Sequence, residues 1–63
     1  MALTDLERVQ QFYDWLGEGY QLEESEDIAP GCNQRLVIGW KGSWYWIYYY
    51  FKDGKLDHWY MSE

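Results

Sequence analysis

Trp44-Tyr45-Trp46-Ile47-Tyr48-Tyr49-Tyr50-Phe51 is a run of eight residues, seven of them aromatic. Large flat side chains lose rotamer freedom in a helix and pack well on a pleated surface, so the run reads as a strand. Successive side chains of a strand point to opposite faces. Both faces of this strand are therefore aromatic, while a small domain has one core to fill. The face left over is where a function is to be sought.

Turn signals flank the run. Asp53-Gly54 is the dipeptide that two-residue hairpins prefer, and Lys41-Gly42 offers a second such loop. They delimit strands over 34–40, 43–51 and 56–61. The first turn pairs Trp40 with Ser43, Ile38 with Tyr45 and Leu36 with Ile47. The second pairs Phe51 with Leu56, Tyr49 with His58 and Ile47 with Tyr60. Opposed residues share a face. One face then carries Leu36, Ile38, Trp40, Tyr45, Ile47, Tyr49, Phe51, Leu56, His58 and Tyr60. The other carries Arg35, Val37, Gly39, Trp44, Trp46, Tyr48, Tyr50, Asp57, Trp59 and Met61. A slip of one residue would exchange the two sets.

Upstream, residues 4–16 read as an amphipathic helix. Thr4 is a fitting N-cap, and Asp5 and Glu7 sit where the helix dipole favours negative charge. Leu6, Val9, Tyr13 and Leu16 recur at helical spacing, with Leu3, Phe12 and Trp15 widening the stripe. Gly17 is placed to cap the C-terminus. Residues 18–33 form an acidic connection that includes Glu18, Glu23, Glu24, Glu26 and Asp27. Within it Tyr20-Gln21-Leu22 is a short candidate edge strand, and Pro30-Gly31 a turn. The fold class expected is α+β: one N-terminal helix packed on a three-stranded antiparallel meander, four-stranded if Tyr20–Leu22 joins it.

Composition sets the bounds. Sixty-three residues make a single domain, and a chain this short buries only about 60% of its unfolded surface. Cys32 is the one cysteine, so an internal disulfide is excluded, and no Cys/His spacing marks a structural zinc site. Five tryptophans, seven tyrosines and two phenylalanines must supply the core instead. Residues 1–7 lack the basic start and apolar run of an export signal, and no apolar stretch is long enough to span a membrane. With one cysteine, these features favour a cytoplasmic location. Eleven acids against five bases give a net charge of −6, which argues against direct nucleic-acid binding or an anionic membrane and permits a basic protein partner.

The leading binding candidates are Trp44, Trp46, Tyr48, Tyr50 and Trp59 with Arg35, because Trp, Tyr and Arg bury large areas while keeping a polar handle. Three occupants of that face are open: the 18–33 segment folded back, a second copy in a homodimer, or another molecule. Glu23, Glu24, Glu26 and Asp27 are the second candidate, for contact with a basic protein surface. They lack the ligand spacing of a dedicated Ca²⁺ loop, so no metal or cofactor is expected. His58 adjoins Asp57, but strand neighbours point apart, so the pair is poorly placed to bond and His58 should pack on Tyr49. Cys32 has no sequence neighbour that would activate it. Arg35, Lys41, Lys52 and Lys55 interleave with aromatics as in single-strand nucleic-acid platforms, yet too few of them oppose the acids. No acid, base and nucleophile converge, so a non-catalytic protein-interaction module, an inhibitor or adaptor, is expected. The alternative is a small-ligand or glycan module using Trp44, Trp46 and Trp59 as a stacking platform. The turn 51–56 is common to unrelated sheets and identifies no family.

Overall fold

The computed structural model describes residues 2–39 and 44–63. Helix α1 (Asp5–Leu16) precedes strands β1 (Tyr20–Ala29), β2 (Cys32–Gly39), β3 (Trp46–Lys52) and β4 (Lys55–Ser62). The strands form one open antiparallel sheet in the order β1-β2-β3-β4, with α1 against one face. The fold is α+β, and the optional fourth strand is present.

α1 forms where its signals place it. Thr4 Oγ1 accepts from the Glu7 backbone N–H at 3.1 Å, and Glu7 Oε1 accepts from the Thr4 N–H at 2.9 Å, closing a capping box. Gly17 ends the helix at φ 77°, a left-handed conformation that glycine adopts without a Cβ clash. Leu6 and Tyr13 face the core and Val9 packs beside them. The stripe is narrower than expected. Phe12 and Leu16 are exposed, and Trp15 is 80% exposed, because one helix on a flat sheet buries one line of contacts.

The helix is tied to the β3–β4 turn. Leu6 N–H donates to the Gly54 carbonyl and Leu56 N–H to Asp5 Oδ2, both at 2.9 Å. Asp53 and Gly54 take φ 49° and 84°, as a primed hairpin turn requires. A Cβ on Gly54 would lie 3.0 Å from Thr4, so the close approach needs glycine as well.

Two expected pairings are corrected. Across β2–β3, Leu36 faces Tyr49 and Ile38 faces Ile47, a shift of two residues from the two-residue-loop register. Trp44 and Tyr45 precede β3, so the connection is longer; the Trp40–Ser43 pairing and the Lys41-Gly42 turn lie outside the described residues. An even shift preserves the faces. Across β3–β4 it does not. Phe51 faces Leu56 as expected, but Tyr50 then faces His58, leaving Asp57 as an inserted bulge residue. One extra residue turns every later side chain over. His58 and Tyr60 therefore join the aromatic face, opposite Tyr50 and Tyr48, while Trp59 and Met61 pass to the helix side, opposite Tyr49 and Ile47.

The acidic connection is also corrected. Most of it is β1, paired to β2 from Tyr20↔Ile38 to Glu24↔Gln34 and again at Ala29↔Cys32, with an irregularity between. It lies beside β2 in the sheet and does not fold across the aromatic face. Tyr20 and Leu22, on one face of β1, pack on the core. That core is Leu6, Tyr13, Leu36, Ile38, Ile47 and Phe51, with Leu36, Ile38 and Phe51 at 0% exposure. Tyr13 and Tyr49 join helix to sheet through their hydroxyls, 2.9 Å apart.

Candidate functional site

The face away from α1 is built by β3 and β4, with β2 at its side. Tyr48 and Tyr60, directly paired, stack with centroids 4.9 Å apart and planes 17° apart. Tyr50 and His58, the next pair on that face, stack at 4.6 Å and 9°. Tyr60 also lies parallel to Tyr50 at 5.9 Å, so the four rings form one block. The Arg35 guanidinium stands 5.9 Å from the centroids of both Tyr48 and Tyr50, where the ring quadrupole attracts a cation. Arg35 also donates from Nη2 to Glu23 Oε2 at 2.6 Å and from Nη1 to Tyr50 Oη at 3.5 Å. These bonds hold the guanidinium charged, its pKa raised chiefly by Glu23. The Tyr50 hydroxyl is lowered from its ordinary value by hydrogen bonds with Tyr60 and Arg35, and that of Tyr60 is raised by Tyr50. At the far end the Trp46 ring lies across Gly39, where an added Cβ would sit 2.8 Å from it.

Of the residues expected on this face, Trp46, Tyr48, Tyr50 and Arg35 are brought together. Trp46 is 51% exposed and Tyr60 45%, while Tyr48 is half-buried and Tyr50 only 6% exposed, so the block meets solvent through Trp46 and Tyr60. Two expected members are elsewhere. Trp59 is turned to the helix side by the bulge, where it lies 6.1 Å from Tyr49. Trp44 precedes β3 and is 86% exposed. The platform of three tryptophans is therefore not formed, and sequence reasoning missed Tyr60 and His58 in their place. Among the four acids, Glu23 is tied to Arg35, while Glu24, Glu26 and Asp27 are exposed on edge strand β1.

A second group forms at the bulge. Donor atoms of Cys32, Asp57 and His58 all lie within 4.8 Å of one another. His58 Nδ1 is 2.6 Å from Asp57 Oδ2, and an ionised carboxylate only accepts, so Nδ1 carries the proton. This corrects two expectations: the bulge brings Asp57 and His58 together, and His58 packs on Tyr50 rather than Tyr49. His58 holds the Asp57 carboxyl below its usual range. Cys32 is buried, and desolvation with the nearby Asp57 charge pushes its thiol up. That direction is opposite to the shift that activates a nucleophilic cysteine.

No described helix is long and apolar enough to cross a membrane. In comparisons with protein-family models, curated proteins and solved structures, the chain matches none.

Proposed function

We propose that the chain is a non-catalytic protein-interaction module of the cytoplasm, an inhibitor or adaptor that covers a basic protein surface. The observation carrying this reading is the aromatic face on which Trp46 and Tyr60 are exposed beside half-buried Tyr48 and buried Tyr50. It lies opposite the only helix of the described residues and is flanked by Arg35–Glu23 and the acids of β1. Contiguous exposed aromatic surface on a small domain marks a contact site. Stacking fixes the rings before any partner arrives, which reduces the entropy lost on binding. The net charge of −6 selects for a basic partner and would steer its approach.

The glycan alternative is less well supported. Sugars stack on ring faces, whereas the faces of Tyr48 and Tyr50 are shared with Tyr60, His58 and the Arg35 guanidinium. Trp59, which the platform needs, is on the other side.

Affinity capture from lysate tests the reading, with wild type and a Trp46→Thr/Tyr60→Ser variant as baits. The expected result is a basic protein retained by wild type and lost with the variant, both baits having cooperative melts. Equal retention by both baits would contradict it. A dimeric mass in sedimentation equilibrium that becomes monomeric in the variant would assign the face to a second copy instead.

A further inference from the structure

We propose that Cys32, Asp57 and His58 form a three-ligand site for a divalent ion of the zinc class. The cluster draws on two strands that are not neighbours: Cys32 opens β2, Asp57 and His58 lie in β4, and β3 runs between them. Three different donors, a sulfur, a carboxylate oxygen and an imidazole nitrogen, converge within 4.8 Å. That chemistry is specific. Thiolate and imidazole select zinc and its neighbours, whereas calcium and magnesium take oxygen ligands. Tetrahedral zinc, with bonds of about 2.0–2.3 Å, sets its ligand atoms roughly 3.3–3.8 Å apart. Here His58 Nδ1 and Asp57 Oδ2 would separate from 2.6 Å while the thiol draws in, adjustments at the ends of two half-exposed side chains.

Two features of the backbone and packing favour this arrangement. The inserted residue Asp57 lets two consecutive side chains of β4 meet, which a regular strand forbids, and bulges characteristically re-aim side chains in this way. The His58 ring is held parallel to Tyr50 at 4.6 Å, which fixes its orientation as an outer-shell partner does in metal sites. Cys32 is buried while Asp57 and His58 are exposed, so the ion enters from the β4 side; as it binds, the thiol proton leaves to solvent and the His58 proton passes through solvent from Nδ1 to Nε2, freeing Nδ1 as a ligand. Solvent fills the fourth position. Once bound, the ion staples β2 to β4 across β3, a cross-link that a short chain without a disulfide otherwise lacks. The site adjoins the aromatic block through His58 but does not rest on the docking reading, and its test uses no partner.

The experiment is titration of the reduced, chelator-treated full chain with Co²⁺, followed by displacement with Zn²⁺. Binding should saturate at one ion per chain, with a thiolate-to-metal charge-transfer band and the intense visible bands of four-coordinate cobalt. His58→Gln and Asp57→Asn, both at exposed positions, should each weaken binding by at least about 10-fold. Cys32→Ser should abolish the charge-transfer band. Zn²⁺ should raise the melting temperature of wild type but not of His58→Gln. A Glu24→Gln/Glu26→Gln/Asp27→Asn variant should bind as wild type does. Absence of the charge-transfer band in wild type, or an affinity unchanged by His58→Gln, would overturn the proposal even if the Cys32 variant fails to fold.

Discussion

The two faces of the sheet share strand β3, which is aromatic on both sides, yet they are used differently. On the helix side Ile47 and Phe51 meet Leu36 and Ile38 of β2 and are sealed by Leu6 and Tyr13 of α1. On the other side Trp46, Tyr48 and Tyr50 meet Gly39, Val37 and Arg35 and have no covering layer among the described residues. Those rings shield one another by stacking, and Arg35 ties the block to Glu23 on β1. The aromatic content of one strand therefore does not decide burial. The neighbouring strand's aliphatic residues and a single helix choose the core, and the remaining face is left with ordered rings and charge.

The largest effect should come from Phe51→Ala, which removes a side chain with no exposure at all. The cost is about 3–5 kcal/mol, close to the whole stability of a domain this small, so denaturant melts should lose their native baseline. Retention of a wild-type midpoint would place the core elsewhere.

Tyr13→Phe should be milder, about 1 kcal/mol from the lost hydroxyl contact with Tyr49, and it should change the alkaline limb of stability. Burial and Tyr49 raise the Tyr13 pKa in the folded state. The native chain then keeps a proton that the unfolded chain releases above pH about 10, so stability falls as pH rises beyond that point. The variant should show a shallower fall in melts between neutral and strongly alkaline pH; an identical slope would remove Tyr13 as its cause.

On the open face a double-mutant cycle of Glu23→Gln and Arg35→Gln should give a coupling of only about 0.2–1 kcal/mol, because the pair is partly solvated. A coupling of several kcal/mol would mean that this face, too, holds the fold together.

The smallest effect on stability is expected for Glu24→Gln/Glu26→Gln/Asp27→Asn. These acids are exposed, so the melting curve should stay almost unchanged, while association with a basic partner slows and loses salt dependence. Equal on-rates in stopped-flow mixing would reduce the β1 acids to a solubility device.

Much of this division was legible in the residues. Thr4, Glu7 and Gly17 mark the helix ends, Asp53-Gly54 its hairpin, and the aliphatics of β2 the buried face. What was not legible has physical causes. Glu-rich β1 contradicts strand propensity, and its pairing with β2 overrides that propensity. The bulge at Asp57 leaves no composition signal, yet it exchanges Trp59 for Tyr60 and brings His58 to Asp57. The Cys32 cluster depends on that bulge and so was invisible for the same reason.

The most direct test of the account is a pair of thermal melts at adjacent positions of β3. Ile47 points to the core and Trp46 to the open face. Ile47→Asp would bury an unpaired carboxylate at a cost of several kcal/mol and should abolish the cooperative transition. Trp46→Thr should melt cooperatively, with a loss of no more than about 2 kcal/mol from a half-exposed ring. A folded Ile47→Asp beside an unfolded Trp46→Thr would contradict the assignment and exchange the two faces.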